Sequence, residues 1–414
     1  MRTDPSGVRT MRLLVITNDF PNAYDPTKAV FNLNLARALA VHHEVAVVSP
    51  ISWLDEWKAR RRGAGPLPPD RRTLVDGIEV HYPRYYYPPR TLRSTYGWWY
   101  WRSVRGTVRR IVEERPPDAV LGYWLHPDGR AAVRAARICG VPSAVIVGGS
   151  DLLLLPNDRS RRRQVLAVLQ DADALITVNQ HLKDVILGYG IPSSKIHSRQ
   201  QGVDVDQFHP GDRTEARTRL GIPVEGRVLV WVGRMVPVKG LDILLQACAR
   251  LRDAATPFHL YLVGDGPLRG ELEADVAQLG LAGLVTFLGS RSPNQLPDWY
   301  RAADLTVLPS RSEGLPNVLR ESLACGTPFV ASCVGGISEI AEPPLDRLVP
   351  PNDPPALAAA IAQMLLEPSV RLRTKSHAQS WQESAESMVQ ILETLKAQFD
   401  ERRSSMRVSH AVGR

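Results

Sequence analysis

The sequence predicts an α/β protein of two tandem, doubly wound domains, and three observations carry that prediction. Short β-branched runs alternate with helix-patterned stretches, the alternation that gives a parallel sheet covered on both faces. The rhythm breaks at a polar stretch beginning at Asp206 and then restarts. At 414 residues the chain is long enough for two cores, since single cores stop growing beyond about 250–300 residues.

In chain order, "LLVITN", "EVAVVS", "DAVLGY", "SAVIVGG" and "ALITVN" read as strands of the first domain, with "FNLNLARALAV" and "DGRAAVRAARICG" as helices between them. "DQFHPGDRTEAR" reads as a linker. Beyond it "RVLVWVG", "FHLYLVG", "LVTFLG", "DLTVLPS" and "FVASCVG" read as strands of the second domain. The late helix "PPALAAAIAQMLLEP" sets Leu357, Ile361, Met364 and Leu365 on one face. From Arg402 onward no periodicity remains, which predicts a frayed tail. The expected domains are residues 1–205 and 206–385, with 386–414 a helix and tail packing back on the first. Ligands of such Rossmann-like sheets bind beyond the carboxyl ends of the strands, so those ends are expected to face a central cleft.

A net charge of +8 favours an anionic partner: a nucleotide, an acidic membrane surface or nucleic acid. Cys139, Cys248, Cys325 and Cys333 contain no C-x-x-C pair, which argues against zinc and a disulfide framework and for reduced core residues. No apolar run approaches the roughly 18 residues of a membrane span, so a cytoplasmic protein is expected.

"SRSEGLPNVLRESLACG", Ser310 to Gly326, sets Glu313 and Glu321 on either side of Gly314, Leu315 and Pro316, with seven residues between the acids. It reads as a strand-end loop followed by a helix, with Pro316 first, where no N–H is needed, and Gly326 closing it. The amides around Gly314, Leu315 and Asn317, with the helix dipole, make an anion site suited to a phosphate. A carboxylate beside a phosphate is unfavourable unless it accepts hydrogen bonds from hydroxyls, as from a ribose or a sugar. Two acids flanking one phosphate site therefore point to a nucleotide with a sugar at each end. "VGRMVPVKGLD" adds Gly233, Arg234 and Lys239 at another strand end, a cation pair able to neutralise a diphosphate. The plainer readings are a solvated loop acid with a helix-surface acid, and a surface salt-bridge pair.

These motifs, with "LVGDGPLRGELE", "VTFLGSRSPNQLPDWYRAADLTVLPS", "FVASCVGGISEI" and the earlier "QQGVDVDQFHP", resemble the successive motifs of glycosyltransferase family 4 over nearly the whole second domain. The resemblance implies a GT-B fold and a retaining transferase that moves a sugar from a nucleoside-diphosphate sugar to a hydroxyl of a polysaccharide, lipid-linked or small-molecule acceptor. Carried over by position, it implies that Arg234 and Lys239 bind the donor diphosphate with help from Gly314 and Leu315 amides. Glu321 would hold the ribose, Glu313 the transferred sugar, and Ser290 and Arg291 would lie near the base. No cofactor and no metal are implied beyond the donor itself. "GDGPLRG" has three residues between Gly266 and Gly270, one too many for a dinucleotide fingerprint. Asp171-Ala172-Asp173 and Asp204-Val205-Asp206 look like the D-x-D of metal-dependent transferases, but neither follows a strand on the expected cleft side.

The first domain departs from the pattern. Its first loop, "DFPNAYDPTKAVF", lacks the family's glycine pair, with Lys28 left to supply charge, and the family's strand-end histidine position is Tyr123, with His126 three residues later. His126 reads either as its replacement or as a packing residue, and Asp151 of "VGGSD" either as an acceptor contact or as a helix cap. "RYYYPPRTLRSTYGWWYWRSVR", Arg84 to Arg105, reads as an interfacial membrane face, strengthened by "KARRRGAG" and "RSRRR", as a stacking platform for an acceptor, or as core packing. Dispersed basic residues and no binding motif argue against nucleic acid. The alternative function is a GT-B protein that binds nucleotide or carbohydrate without turnover or needs a partner. A glycoside hydrolase gives the two cations no role, and an epimerase does not need the run at Glu313.

Overall fold

The computed structural model describes residues 10–88, 93–153, 159–366 and 379–412. It divides into two compact units, Met1–Gly202 with Trp381–Arg414, and Val203–Ser380. The chain thus crosses at 202/203, three residues before the expected boundary, and returns at 380/381, five residues before it.

The first unit contains β1 (Arg12–Ile16), β2 (Glu44–Val48), β3 (Ile51–Ser52), β4 (Arg72–Val75), β5 (Ile78–His81), β6 (Arg84–Tyr85), β7 (Ala119–Tyr123), β8 (Ser143–Val147), β9 (Ala174–Thr177) and β10 (Ile196–Ser198). Eight of these form one sheet in the order β10-β9-β8-β7-β1-β2-β5-β4, and β3 pairs with β6 beside it. All pairs are parallel except β4 with β5, a hairpin turned by Asp76 and Gly77, both at positive φ. The order reverses between β1 and β7. Because helices cover both faces, the central strands are continuous apolar runs, each fully buried along β7, β8 and β9. One face packs Leu14, Ile16 and Val120 against Tyr100, Val104, Val108 and Ile111 of the helix Tyr96–Glu114 and against the alanines of the helix Arg130–Cys139.

The helix Trp381–Val412 returns to this unit, buries Ala385, Met388 and Leu392, and packs on the helix Val30–Ala40. The stretch from Arg402 to Val412, expected to fray, is helical. It has no apolar periodicity because its described side chains, up to Ser405, are exposed.

The second unit contains β11 (Val228–Val232), β12 (His259–Val263), β13 (Val285–Gly289), β14 (Leu305–Leu308), β15 (Phe329–Ser332) and β16 (Arg347–Val349) in one parallel sheet, ordered β13-β12-β11-β14-β15-β16. The reversal here lies between β11 and β14. The helix Pro354–Leu366 buries Leu357, Ile361, Met364 and Leu365 as its spacing predicts. The expected linker belongs to the fold: Phe208 is buried against Tyr300, and Arg213–Leu220 is a helix capped by Asp212 through the Glu215 N–H at 2.8 Å. Arg217 of that helix is buried and pairs with Asp304 at 2.8 Å. Cys248 and Cys325 are core residues, whereas Cys333 is exposed, and all four thiols are free.

Candidate active site

In an open parallel sheet the crevice lies where the strand order reverses, because neighbouring loops there run in opposite directions and leave a gap. In the second unit that place is the carboxyl end of β11 and β14, and the sequence puts Lys239 after one and Glu313 after the other. Lys239 ends the short turn Pro237–Lys239, and its Nζ lies 2.7 Å from Glu313 Oε1. Ser310, fully buried at the start of the β14 loop, donates its Oγ–H to the same oxygen at 2.6 Å. Glu313 is thereby fixed through one oxygen, and no hydrogen bond is made to Oε2 among the described residues.

A second clasp ties the two loops together. The Arg311 backbone N–H donates to the Val238 carbonyl at 2.8 Å. Its guanidinium grips both oxygens of Asp242 at 2.9 and 2.6 Å and donates to the Pro237 carbonyl. Such a planar two-point grip fixes orientation as well as distance.

Arg234 is exposed and its side chain makes no hydrogen bond or ion pair among the described residues, so its guanidinium is open to an anion. The helix Asn317–Ala324 starts three residues after Gly314, with Pro316 just ahead of it instead of at its first position. Its unsatisfied first N–H groups and dipole favour negative charge. Asn317 accepts from Arg320 at 3.2 Å, and Gly326, at φ 83, follows the closing turn. The Gly314 carbonyl accepts from Gly336 N–H at 2.8 Å; a Cβ on Gly335 would overlap the Glu313 carbonyl oxygen, so the loop after β15 backs directly onto the acid's main chain. Leu315 lies between these contacts, half-buried.

Glu321 sits one turn into the helix and accepts a 2.9 Å hydrogen bond from the hydroxyl of Tyr300, itself fully buried. Burial pushes the Glu321 carboxyl above its usual range, and the tyrosine hydroxyl offsets part of that rise. Ser290 and Arg291 are exposed beyond β13, at the sheet edge, where the Arg291 guanidinium donates to the Ser290 carbonyl at 3.3 Å. The first two glycines of "GDGPLRG" serve contact between loops: a Cβ on Gly264 would overlap the Gly233 carbonyl oxygen, and one on Gly266 the Met235 backbone. Tyr300, Ser310 and Arg311 were not singled out from sequence, since each acts through a partner and carries no motif of its own.

In the first unit the reversal lies between β1 and β7, and the residues there differ from those expected. Tyr123 ends β7 buried, its hydroxyl held by the Gln201 amide and its ring packed between Phe31 and Trp124. Trp124 carries the change of direction at φ 78, a conformation costly for a bulky residue and concentrated at functional sites. Its indole lies against Gly148 and donates to Asp19 Oδ2 at 3.0 Å. Lys28 is committed to Asp19 at 3.2 Å and to the Asn18 carbonyl at 2.6 Å. Asp151 is buried and accepts from the N–H groups of Leu125 and Gly149 at 2.8 and 3.0 Å, so it holds the turn after Trp124. Burial pushes its carboxyl up to about 6 against those bonds.

His126 pairs with Gln164 at 2.8 Å and lines a cavity of about 1170 Å³ together with Asn18, Tyr24, Lys28 and one face of the helix Trp53–Arg61. The aromatic segment splits by alternation: Tyr85, Tyr87 and Tyr96 line this cavity, Tyr100 enters the core, and Tyr86 and Trp98 are exposed beneath Arg84 and Arg102. Residues 89–92 within it lie outside the described residues.

The D-x-D stretches are occupied structurally. Asp171 pairs with Arg130 at 2.7 Å, Asp173 accepts from Ser143, and Asp204 caps the turn to Gln207. Among the described residues no three His, Cys, Asp or Glu side chains cluster, and no helix is long and apolar enough to cross a membrane.

Residues 29–207 match the family model described as Glycosyltransferase Family 4, and residues 226–367 that described as Glycosyl transferases group 1. D-inositol 3-phosphate glycosyltransferase 1 of Catenulispora acidiphila is 34% identical over 344 residues, 75% of this chain and 78% of that one. TuaC of Bacillus subtilis, named as a teichuronic acid biosynthesis glycosyltransferase, is 28% identical over 97% of both chains. Sucrose-phosphate synthase from Thermosynechococcus elongatus superposes with a TM-score of 0.72 at 21% identity, covering 96% of this chain and 100% of that one. Anabaena HepE, solved with UDP-glucose, gives 0.65 at 20% identity over 95% and 100%.

Proposed function

Because the chain belongs to glycosyltransferase family 4, has the GT-B fold and is a nucleotide-sugar-dependent glycosyltransferase, we propose that it works with retention and that the β11 and β14 loops hold its donor. The observation that carries this reading is the Lys239–Glu313 pair at the strand-order reversal. The donor diphosphate displaces the Glu313 carboxylate from the lysine and is met by Lys239, Arg234 and the amino end of the helix Asn317–Ala324. The freed Glu313, still held by Ser310, accepts hydroxyls of the transferred sugar, and Glu321 accepts those of the ribose. As the bond from the anomeric carbon to the diphosphate breaks, an acceptor hydroxyl oxygen bonds to that carbon from the same face, and its proton passes to the departing phosphate. The two cations and the helix end stabilise the charge growing on the leaving group without moving.

HepE, solved with UDP-glucose, supports a sugar nucleotide as donor, and relatives named for inositol 3-phosphate and teichuronic acid support a small-molecule or polysaccharide hydroxyl as acceptor. The same reading places the protein in the cytoplasm, and at an anionic membrane face where the acceptor is lipid-linked. Exposed Trp57 and Trp98, each under an arginine, support such a contact.

The test is a thermal-shift screen against UDP, GDP, ADP, dTDP and CDP, with and without magnesium. One nucleotide should stabilise the wild type, by about 2.7 kcal/mol at one hundred times its dissociation constant, and fail on Arg234→Ala and Lys239→Ala. Stabilisation that survives both substitutions overturns the donor assignment.

A further inference from the structure

Two kinds of contact join the β11 and β14 loops, and they differ in what a bound donor does to them. The Lys239–Glu313 ion pair opens when a diphosphate takes the lysine. The Arg311 clasp involves neither residue and stays closed. Its guanidinium donates to the Pro237 carbonyl at 2.6 Å, to the two Asp242 oxygens at 2.9 and 2.6 Å, and through Nε to Asn352 Oδ1 at 2.8 Å. These partners lie in three segments. Pro237 begins the turn that ends in Lys239, Asp242 belongs to the first turn of the helix Leu241–Asp253, and Asn352, at φ 58, turns the chain after β16.

The main chain is fastened at the same place. Arg311 N–H donates to the Val238 carbonyl at 2.8 Å, and a Cβ on Gly240 would overlap the Pro309 carbonyl oxygen. The residues on both sides of Lys239 are thus held against the β14 loop, just ahead of Glu313 and of the helix Asn317–Ala324. Little of this serves global stability, because the Arg311 and Asp242 side chains are 33% and 46% exposed and exposed ion pairs contribute little. What a planar, multi-point grip supplies is register. A diphosphate that meets Lys239 from one loop and the helix amino end from the other needs that register, since a misplacement of about 1 Å can cost about 10²-fold.

We propose, resting on the donor placement above, that Arg311 is a positioning residue of the donor site. Anchored on Asp242, it keeps Lys239 and the amino end of Asn317–Ala324 in register while the Lys239–Glu313 pair opens.

A double-mutant cycle on the full chain tests this by calorimetric titration with whichever of UDP, GDP, ADP, dTDP and CDP stabilises the wild type. Arg311→Ala and Asp242→Asn should each weaken binding by about 10- to 10²-fold while lowering the melting temperature by no more than about 4 °C. Arg311→Lys keeps the charge without the fork and should recover only part of the loss. In a Lys239→Ala background, adding Arg311→Ala should cost no more than about twofold, because the lysine it positions is gone. Arg219→Ala removes a similar two-point grip, on Asp298 at 3.0 and 2.9 Å between the helices Arg213–Leu220 and Leu296–Ala302. It should match Arg311→Ala in melting temperature and leave nucleotide binding unchanged. Undiminished binding by Arg311→Ala, a full loss repeated in the Lys239→Ala background, or an equal loss in Arg219→Ala overturns the positioning role. Should Arg311→Ala not fold, Arg311→Lys and Asp242→Asn carry the same cycle. Undiminished binding by Lys239→Ala counts against the donor placement itself, whereas weakening by Lys239→Ala but not by Arg311→Ala counts against the clasp alone.

Discussion

Lys239 and Glu313, 74 positions apart in sequence, meet at 2.7 Å across the gap between β11 and β14. Each is the other's counter-ion, so under the proposed donor placement a nucleoside diphosphate competes with the acid for the lysine. Lys239→Ala is therefore expected to lower kcat/KM by about 10²- to 10³-fold. Glu313→Gln should depress kcat while binding the nucleoside diphosphate at least as tightly as wild type, because the competitor has gone. Calorimetric titration of both variants checks this, and weaker nucleotide binding by Glu313→Gln would refute the competition.

Gly335 and Gly221 both occupy the left-handed region, at φ 56 and 67, but only Gly335 has a neighbour in the way. Gly221→Ala should cost about 1 kcal/mol from conformation alone. Gly335→Ala must also push back the Glu313 main chain, and should cost about 2 kcal/mol or more and lose most of its activity. Melting curves with activity on the same samples separate the two cases; equal losses would mean that the loop after β15 does not brace the acid.

Glu56 is buried, with Arg84 at 2.8 Å to both of its oxygens and Arg71 at 3.2 Å, and the Arg84 bonds lead in drawing its carboxyl down to about 2. A depressed folded pKa contributes stability that is complete above about 4.5 and is lost as pH falls through about 2. Glu56→Gln should cost about 3 kcal/mol at neutral pH and flatten the acid limb of the stability curve. Unfolding followed between pH 2.5 and 7 checks both.

Asp151 has the opposite sign. Burial raises its carboxyl from 3.8 to about 6, so its stabilising share is complete below about 3.8 and lost as pH rises through about 6. The melting temperature of wild type minus that of Asp151→Asn should shrink from pH 4 to pH 7. A difference that stays constant would mean that Asp151 keeps its ordinary pKa.

The strands at the centre of each sheet were legible because burial on both faces leaves an uninterrupted apolar run, as in "SAVIV" or "VLVWV". The edge hairpin was missed although its turn, Asp76-Gly77, is a strong local signal; its flanks alternate with exposed residues and read as loop. In the second unit, sequence spacing brought out Glu313 and Lys239, each at a strand end beside a glycine. It could not reach Tyr300 behind Glu321 or Asp242 behind Arg311, partners joined only by tertiary packing. In the first domain Tyr123 drew attention by its place at a strand end, but the irregular turn at Trp124 buries it and sends His126 to the cavity.

The helix Trp381–Val412, which packs on Val30–Ala40, orders events during synthesis. Every residue of the unit Val203–Ser380 leaves the ribosome before this helix does, although the other unit begins the chain. The earlier-made unit therefore waits, with the surface of Val30–Ala40 uncovered, until the helix Trp381–Val412 is released. Termination after the helix Pro354–Leu366 but before Trp381 would spare the whole sheet that carries Lys239 and Glu313 yet leave the first unit open, a nascent apolar face for chaperones to guard.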